Sequence, residues 1–380
     1  MIATLLLKFE SHVWKATKRD KSFSETNCQL VLVFGQKEMI GEAWLYNHLR
    51  SQFPDAAIVF SSTSGEILQR TVSDQTIVVS ALHFEKTSIK AISANILDHQ
   101  KNSNAVGLAL AEQLQGEHLA GILVFSDGMH VNGGELVAGL NANNNTHIPI
   151  TGGLAGDGSD FKSTLTGLNK VAAEGEIVAI GFYGTAIEIG HGSLGGWDEF
   201  GHERTITKAE KNVLFELDHK KALDLYKEYL GPYSAELPSS ALLFPLSIQV
   251  EDSTQTLVRT ILSIDEDNQS MTFAGNMPVG SKVRLMKANF DKLISASSLA
   301  AKSSKVNTEN PEFALLISCV GRKLILQERT EEEIESAAEV LGNDCAIAGF
   351  YSYGEISPLN NTVTCELHNQ TMTITTFTEK

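Results

Sequence analysis

Three kinds of residue in this chain could do chemistry: carboxylates set among glycines, histidines beside glycines, and a cysteine closing an apolar run. The stretch Ile148-Pro149-Ile150-Thr151-Gly152-Gly153-Leu154-Ala155-Gly156-Asp157-Gly158 places one acid inside a run of glycines, directly after a β-branched strand signal. Consecutive glycines can turn backbone N–H groups toward an anion or a polar group. A phosphate loop, however, needs G-x-x-x-x-G-K-[ST], with the lysine on the phosphates. This stretch has no lysine, and the carboxylate of Asp157 would repel phosphate. It reads instead as a tight turn, using the φ > 0 freedom of glycine, that also lines a pocket, with direct ligand contact or a turn alone as the alternatives; Gly152, Gly153, Gly156 and Asp157 are the candidates. Asp127, in Ser126-Asp127-Gly128, ends a second strand signal. Tyr351, Tyr353 and Glu355 follow a third, where aromatics and an acid can build a pocket wall or cap a core.

His191 lies in Gly190-His191-Gly192-Ser193-Leu194-Gly195, which spells G-x-G-x-x-G. A dinucleotide fingerprint requires a helix next. Gly196 and Gly201 follow with no helical period between them, so the context fails. A neutral imidazole at 191 could ligate iron, or could bond the backbone of a turn. His368, in Glu366-Leu367-His368-Asn369-Gln370, is the reserve candidate, with a simpler role as a core or edge residue of a strand. Cys319, in Ser318-Cys319-Val320-Gly321, reads as a buried small thiol rather than a nucleophile. There is no G-x-S-x-G elbow, no H-E-x-x-H, and no nucleophile beside a base. The chain therefore reads as a binding protein and not as an enzyme.

These residues need strands and helices to position them. Leu30–Gly35 is a continuous apolar run, followed by helical spacing over Lys37–Gln52 and a second strand at Ala56–Phe60. The same order recurs at Leu119–Phe125 through "IPI", and at Phe313–Val320 through Glu331–Leu341 and "CAIAGFYSYGEI". Ala57-Ile58 and Ala346-Ile347 are each followed by six residues and then Gly-Glu-Ile, an internal echo that suggests a duplicated unit. Alternating patterns at Gln75–Glu85, Ser88–Leu97 and Glu176–Ile189 predict antiparallel strands, as do Leu257–Asp265 with Ser270–Ala274 and the tail Thr362–Phe377. Lys221–Leu230 is a short helix closed by Gly231-Pro232, and Ser295–Asn310 is small and polar. The expected fold is mixed α/β: two related halves layering mixed sheets and helices, built from duplicated β-α-β modules. The boundaries are an N-terminal segment 1–27, a domain 28–218, and a domain 219–380 with the tail strand.

At 380 residues two domains are expected, and 42% hydrophobic with 20% charged residues allows a core that needs neither disulfide nor metal. The formal net charge of -16 opposes encounter with nucleic acid or an anionic membrane. The four cysteines, Cys28, Cys319, Cys345 and Cys365, are scattered, which suits a reducing cytosol. The apolar run within Met1–Glu10 is too short for a signal or a transmembrane helix. A cytoplasmic protein is expected. Exposed strand edges make a homodimer reasonable.

Four stretches taken together resemble the FIST family, the two-part sensory domain of bacterial signalling proteins. They are "FSDGMHVNGGELVAGL", "IPITGGLAGDGSDF", "VLFELDHKKALDLYKEYLG" and "IAGFYSYGEISP". The resemblance covers roughly residues 28–360 and implies a ligand-sensing module, for which small molecules such as amino acids have been proposed. A narrower resemblance, through "HGSLGGWDEFGHERTITKAEKNVLFELD" and "CELHNQTMTITTFTEK", is to free-standing FIST proteins that bind haem and sense nitric oxide. It implies non-covalent haem b, with His191 or His368 as the iron ligand, and a separate histidine kinase as partner, since no kinase or receiver segment is seen in this sequence. The haem-free alternative is a sensor of a small metabolite. Asp127, Asp157 and Glu355 would then meet its amine, and glycine N–H groups its carboxylate.

Overall fold

The continuous apolar runs become strands because both faces of each are buried. In Leu30–Gly35, the residues Leu30, Leu32 and Phe34 enter one core while Val31 and Val33 enter another. Phe313–Cys319 divides in the same way, Phe313, Leu315 and Ile317 against Ala314 and Leu316. So does Leu119–Ser126, with Leu123 and Phe125 against Ile122 and Val124. The computed structural model describes residues 1–142, 144, 148–237, 239–249, 256–305, 310–359 and 364–380. Thr362, expected at the start of the tail strand, and residues 306–309 of the small polar stretch lie outside these.

The expected mixed α/β architecture is observed, and its β-α-β unit occurs three times. Leu30–Gly35 pairs in parallel with Ala57–Ser62, Leu119–Ser126 with Ile150–Leu154, and Phe313–Cys319 with Ala346–Ser352. Each pair lies within a six-stranded sheet. In each, an antiparallel strand lies on the outer side of the first parallel strand: Ile77–Phe84, Glu176–Tyr183 and Met372–Glu379. The short strand that follows each unit then leaves for another sheet. Glu66–Leu68 joins Ala346–Ser352 of the third sheet, Thr166–Leu168 joins Ala57–Ser62 of the first, and Gly354–Pro358 joins Ile150–Leu154 of the second. The exchange is cyclic, so every sheet is completed by a neighbour's strand. The strand–turn–strand expected over Glu176–Ile189 forms as Glu176–Tyr183 and Ile187–Leu194, and its two strands sit in different sheets.

The inner faces of the three sheets share one core. One phenylalanine from each meets near its centre: Phe34 lies 4.8 Å from Phe350 and 5.6 Å from Phe125 between ring centroids. Phe84, Phe182 and Phe377 form a second such layer, at 5.8 and 5.2 Å. Helices cover the outer faces. Ala43–Gln52 packs on the first sheet, Ser103–Leu114 and Gly133–Asn141 on the second, and Phe290–Ser304 and Thr330–Leu341 on the third.

Between Ile187–Leu194 and the helix Phe290–Ser304 the chain builds a further unit, from Asp198 to Lys287. A twisted antiparallel sheet wraps the helix Ala222–Leu230 around a separate core of Leu214, Leu217, Leu223, Tyr226, Met271 and Phe273. The expected hairpin across "EDNQ" is present as Ile261–Asp265 with Ser270–Phe273. The expected boundary at 218/219 falls inside this unit.

The glycine motifs prove to be places of close approach. A Cβ on Gly190 or Gly192 would fall 1.9 or 2.1 Å from the carbonyls of Ser304 and Ala300, so the G-x-G face of that strand carries the helix Phe290–Ser304. At Gly152, φ is 144° and a Cβ would lie 1.8 Å from the Val124 carbonyl of the adjoining strand. A second constraint is ionic. Arg322 is fully buried, and its Nε and Nη2 reach Glu333 Oε2 at 3.0 and 2.8 Å. Glu333 Oε1 also accepts the Tyr351 hydroxyl at 2.7 Å and the Ser318 hydroxyl at 3.1 Å. The remaining guanidinium donors reach the carbonyls of Gly195 and Leu293. One ion pair thus ties three helices to two strands.

Two predictions follow from these constraints. Glu333→Leu leaves a buried guanidinium unpaired and should cost about 3–5 kcal/mol in urea unfolding, of which Arg322→Met in the same chain should restore about half. Gly158, at φ 72° in open space, should accept alanine at a cost of about 1–2 kcal/mol, whereas Gly152→Ala should abolish cooperative melting followed by circular dichroism.

Candidate ligand-binding site

Ligands of α/β sheets tend to bind at the carboxyl ends of the strands, where loops diverge. The loops leaving Leu119–Ser126, Ile150–Leu154, Phe313–Cys319 and Ala346–Ser352 all reach one cavity of about 710 Å³. They contribute Gly128–Gly133, Leu154, Phe161, Cys319–Gly321, Leu324 and Tyr353. The inserted unit supplies the facing wall with Asn212, Leu242, Thr260–Leu262 and Phe273–Gly275. Arg259 joins the two walls. It is buried, donates from Nη1 to the Leu367 carbonyl at 3.0 Å, and is pushed down to about 10 by burial against the opposing pull of Glu366. Asn276 of the inserted unit donates to Glu135 Oε1 at 3.1 Å on the helix Gly133–Asn141.

Buried carboxylates hold the loops in shape. Asp127 Oδ1 accepts the backbone N–H groups of Met129 and His130 at 2.7 and 2.6 Å, and Oδ2 accepts that of Gly175 at 3.0 Å. Asp157 Oδ1 accepts the Phe161 N–H at 2.9 Å and the Tyr353 hydroxyl, and Oδ2 accepts the N–H groups of Lys162 and Ser163 at 2.9 Å each. Burial works to raise Asp157, but these donors outweigh it and hold the carboxyl below its ordinary range. Tyr353 then stacks on Phe161, with centroids 4.5 Å apart and planes 12° apart, as part of the wall.

Glu355 and its internal echo Glu66 are held alike. Glu66 Oε1 accepts the Thr63 hydroxyl, and Oε2 accepts the N–H and hydroxyl of Thr76. Glu355 Oε1 accepts the Ser352 hydroxyl, and Oε2 accepts the N–H and hydroxyl of Thr371. The repeated Gly-Glu-Ile therefore marks one repeated clasp, at the point where each chain crosses to a neighbouring sheet.

The predicted residues thus separate. Asp127 and Asp157 end adjacent strands, Ser126 opposite Leu154, as short connections imply. Both support the cavity wall from behind. Tyr353 is in the wall itself. Gly152 and Gly153 lie within the strand Ile150–Leu154, and the N–H of Gly156 bonds the Ser62 carbonyl at 3.0 Å. Tyr351 and Glu355 are buried beneath the cavity and do not line it. Sequence reasoning missed His130, Asn132, Phe161 and the whole facing wall. One signal for Asn132 was present: Asn132-x-x-Glu135 before an apolar run is a helix-start pattern, and the Asn132 side chain does accept the Glu135 N–H at 3.1 Å.

A haem iron needs an imidazole nitrogen presented into the cavity. His191 is on the strand Ile187–Leu194, opposite Thr375, and burial pushes its pKa down. His368 is buried, pushed down to about 4, with Nε2 2.9 Å from the Ser357 carbonyl oxygen. Neither lines the cavity. The histidine that does is His130, whose Nδ1 faces Asp127 Oδ2 at 3.3 Å and whose Nε2 faces Glu174 Oε2 at 3.8 Å. The cavity and the two expected ligands thus do not fit a haem site together. Burial also raises the Cys319 thiol, aided by Glu355, which disfavours a thiolate.

The paired clasps carry a pH dependence. Burial holds Glu66 up at about 7 and Glu355 at about 8, against an ordinary 4.5. The stabilisation from their bound protons is full below the unfolded value and is lost as pH rises through 7 and 8. His368 acts in the opposite sense, but only below its unfolded 6.5. The urea midpoint should therefore fall between about pH 6.5 and 8.5, and Glu66→Gln with Glu355→Gln should flatten that slope.

Among solved structures, a similar chain is the cyanuric acid hydrolase from A. caulinodans, at 7% identity and TM-score 0.39 over 100% of both chains. No curated protein matches. No helix among the described residues is long and apolar enough to cross a membrane. Residues 29–220 match the FIST N domain and residues 222–358 the FIST C domain. With both parts matched across most of its length, the chain belongs to the FIST family of signal-transduction sensor domains that bind small ligands.

Proposed function

We propose that the chain senses a small, haem-free ligand held between the three-sheet body and the inserted unit, and that occupancy alters the surface read by a separate signalling partner. The observation that carries this reading is the cavity itself: about 710 Å³, with one wall from strand-end loops and the other from the inserted unit. A ligand that touches both walls favours the arrangement in which they face each other. It can shift the protein only by its difference in affinity between two states, and a coupling of about 1–3 kcal/mol is ordinary. Polar contacts between the walls run through Arg259 and Asn276, so the joint has a defined register rather than a merely greasy seam. A histidine kinase is the partner class that the narrower resemblance implies. Haem-dependent nitric oxide sensing is less well supported, because His191 and His368 lie outside the wall and both ring nitrogens of the wall histidine, His130, face carboxylates.

The test has two arms. A metabolite library screened by thermal shift should yield a stabilising compound, worth about 2.7 kcal/mol at 100 times its dissociation constant, whose effect is lost in Leu262→Trp. Haem b titrated into the protein should give no saturable Soret shift. A saturable shift removed by His130→Ala, His191→Ala or His368→Ala would overturn the haem-free reading.

A further inference from the structure

The charge of the ligand can be read from what the wall lacks. Among the described residues, no Asp, Glu, Lys or Arg lines the cavity. Three of the lining side chains are ionisable types: His130, Cys319 and Tyr353. Burial pushes the thiol of Cys319 up, and burial together with the Asp157 carboxylate pushes up the Tyr353 phenol, so both stay neutral. His130 faces Asp127 and Glu174, so any charge on it already has partners.

The nearby charged groups are also engaged. Asp127, Asp157 and Glu355 spend their oxygens on backbone N–H groups and hydroxyls, as described above. Arg259 donates to the carbonyls of Val258, Asn276 and Leu367. Lys323 reaches the Ser64 carbonyl and Asp74, and Lys37 faces Asp157 at 3.5 Å. A charge brought into this cavity would leave water without gaining a counter-charge, and burying an unpaired ion costs several kcal/mol.

What the wall does offer is apolar area with a few hydrogen-bonding groups. Val131, Leu154, Leu262, Phe273, Leu324 and Leu367 supply the first. Asn132, Asn212 and Thr260 supply the second, and the Thr260 hydroxyl has no partner among the described residues.

We infer that the cavity selects an uncharged, amphipathic small molecule and discriminates against zwitterions such as free amino acids, because its wall pairs neither an ammonium nor a carboxylate. This rests on the reading of the cavity as the ligand site. It also removes the amine-binding role expected for Asp127, Asp157 and Glu355.

Three probes that share one ring and differ in charge test it by calorimetry on the whole chain: 2-naphthamide, 2-naphthoate and 2-naphthylmethylammonium. The amide should bind about tenfold or more tightly than either ion. Leu324, 38% exposed on the wall, should tolerate Leu324→Arg, which should reverse the order of amide and naphthoate. Leu262→Lys makes the same test from the inserted unit. An ion that binds the native protein as tightly as the amide, and is displaced by either substitution, would overturn the inference while leaving the cavity as the site. Amide binding unaffected by both substitutions, or no binding of any probe, would overturn the cavity reading and the inference with it.

Discussion

A carboxylate removed from water must be given donors, and in this protein the donors are mostly backbone. Asp127 and Asp157 each gather three backbone N–H groups, and Glu66 and Glu355 each gather one with two hydroxyls. Such a group cannot be moved without orphaning several donors at once, each at about 1–3 kcal/mol. The loops at the strand ends are therefore fixed from behind. The cavity inherits its shape from acids that do not line it. The expectation that acids at strand ends point into the cavity is inverted: here Asp127 and Asp157 shape its loops from behind, and among the described residues no acid lines it.

The second organising constraint is the cyclic exchange of short strands. Every sheet carries at its margin a strand from another unit, so the crossing segments converge at one end of the body. Two of the four carboxylates, Glu66 and Glu355, sit on those crossing strands. The third crossing, toward Thr166–Leu168, has no Gly-Glu-Ile; the loop held by Asp157 lies on its path instead. On that divergent path the chain turns Phe161 into the wall, where it stacks on Tyr353 from the third unit.

Much of the fold was legible because apolar runs report burial directly. The three β-α-β units stand out in "LVLVFG", "GILVF" and "FALLISC", and the Ala-Ile to Gly-Glu-Ile spacing marked a true structural repeat. Pairing partners were less legible. Glu176–Tyr183 and Ile187–Leu194 look like a hairpin because sequence adjacency usually means spatial adjacency, yet each answers to a different sheet. The glycines of 190–196 resembled a ligand motif because the same residue type serves close helix packing. The site was only half visible. Asp127, Asp157 and Tyr353 could be picked out by type, but whether an acid faces a ligand or its own backbone depends on turn geometry that no spacing rule contains. The facing wall, around Thr260 and Phe273, carries no motif, and only the fold brings it to the strand ends.

The exchanged strands also set a clock on synthesis. Glu66–Leu68 has no edge to join until Ala346–Ser352 leaves the ribosome, about 280 residues later. At about 5–20 residues per second, that segment waits from roughly a quarter of a minute to a full minute. During this interval the first sheet lacks Thr166–Leu168 until the second unit is made, and the second sheet lacks Gly354–Pro358 until the end. The nascent chain therefore passes through a long stage with open strand margins, the kind of edge that pairs with other chains when left uncovered.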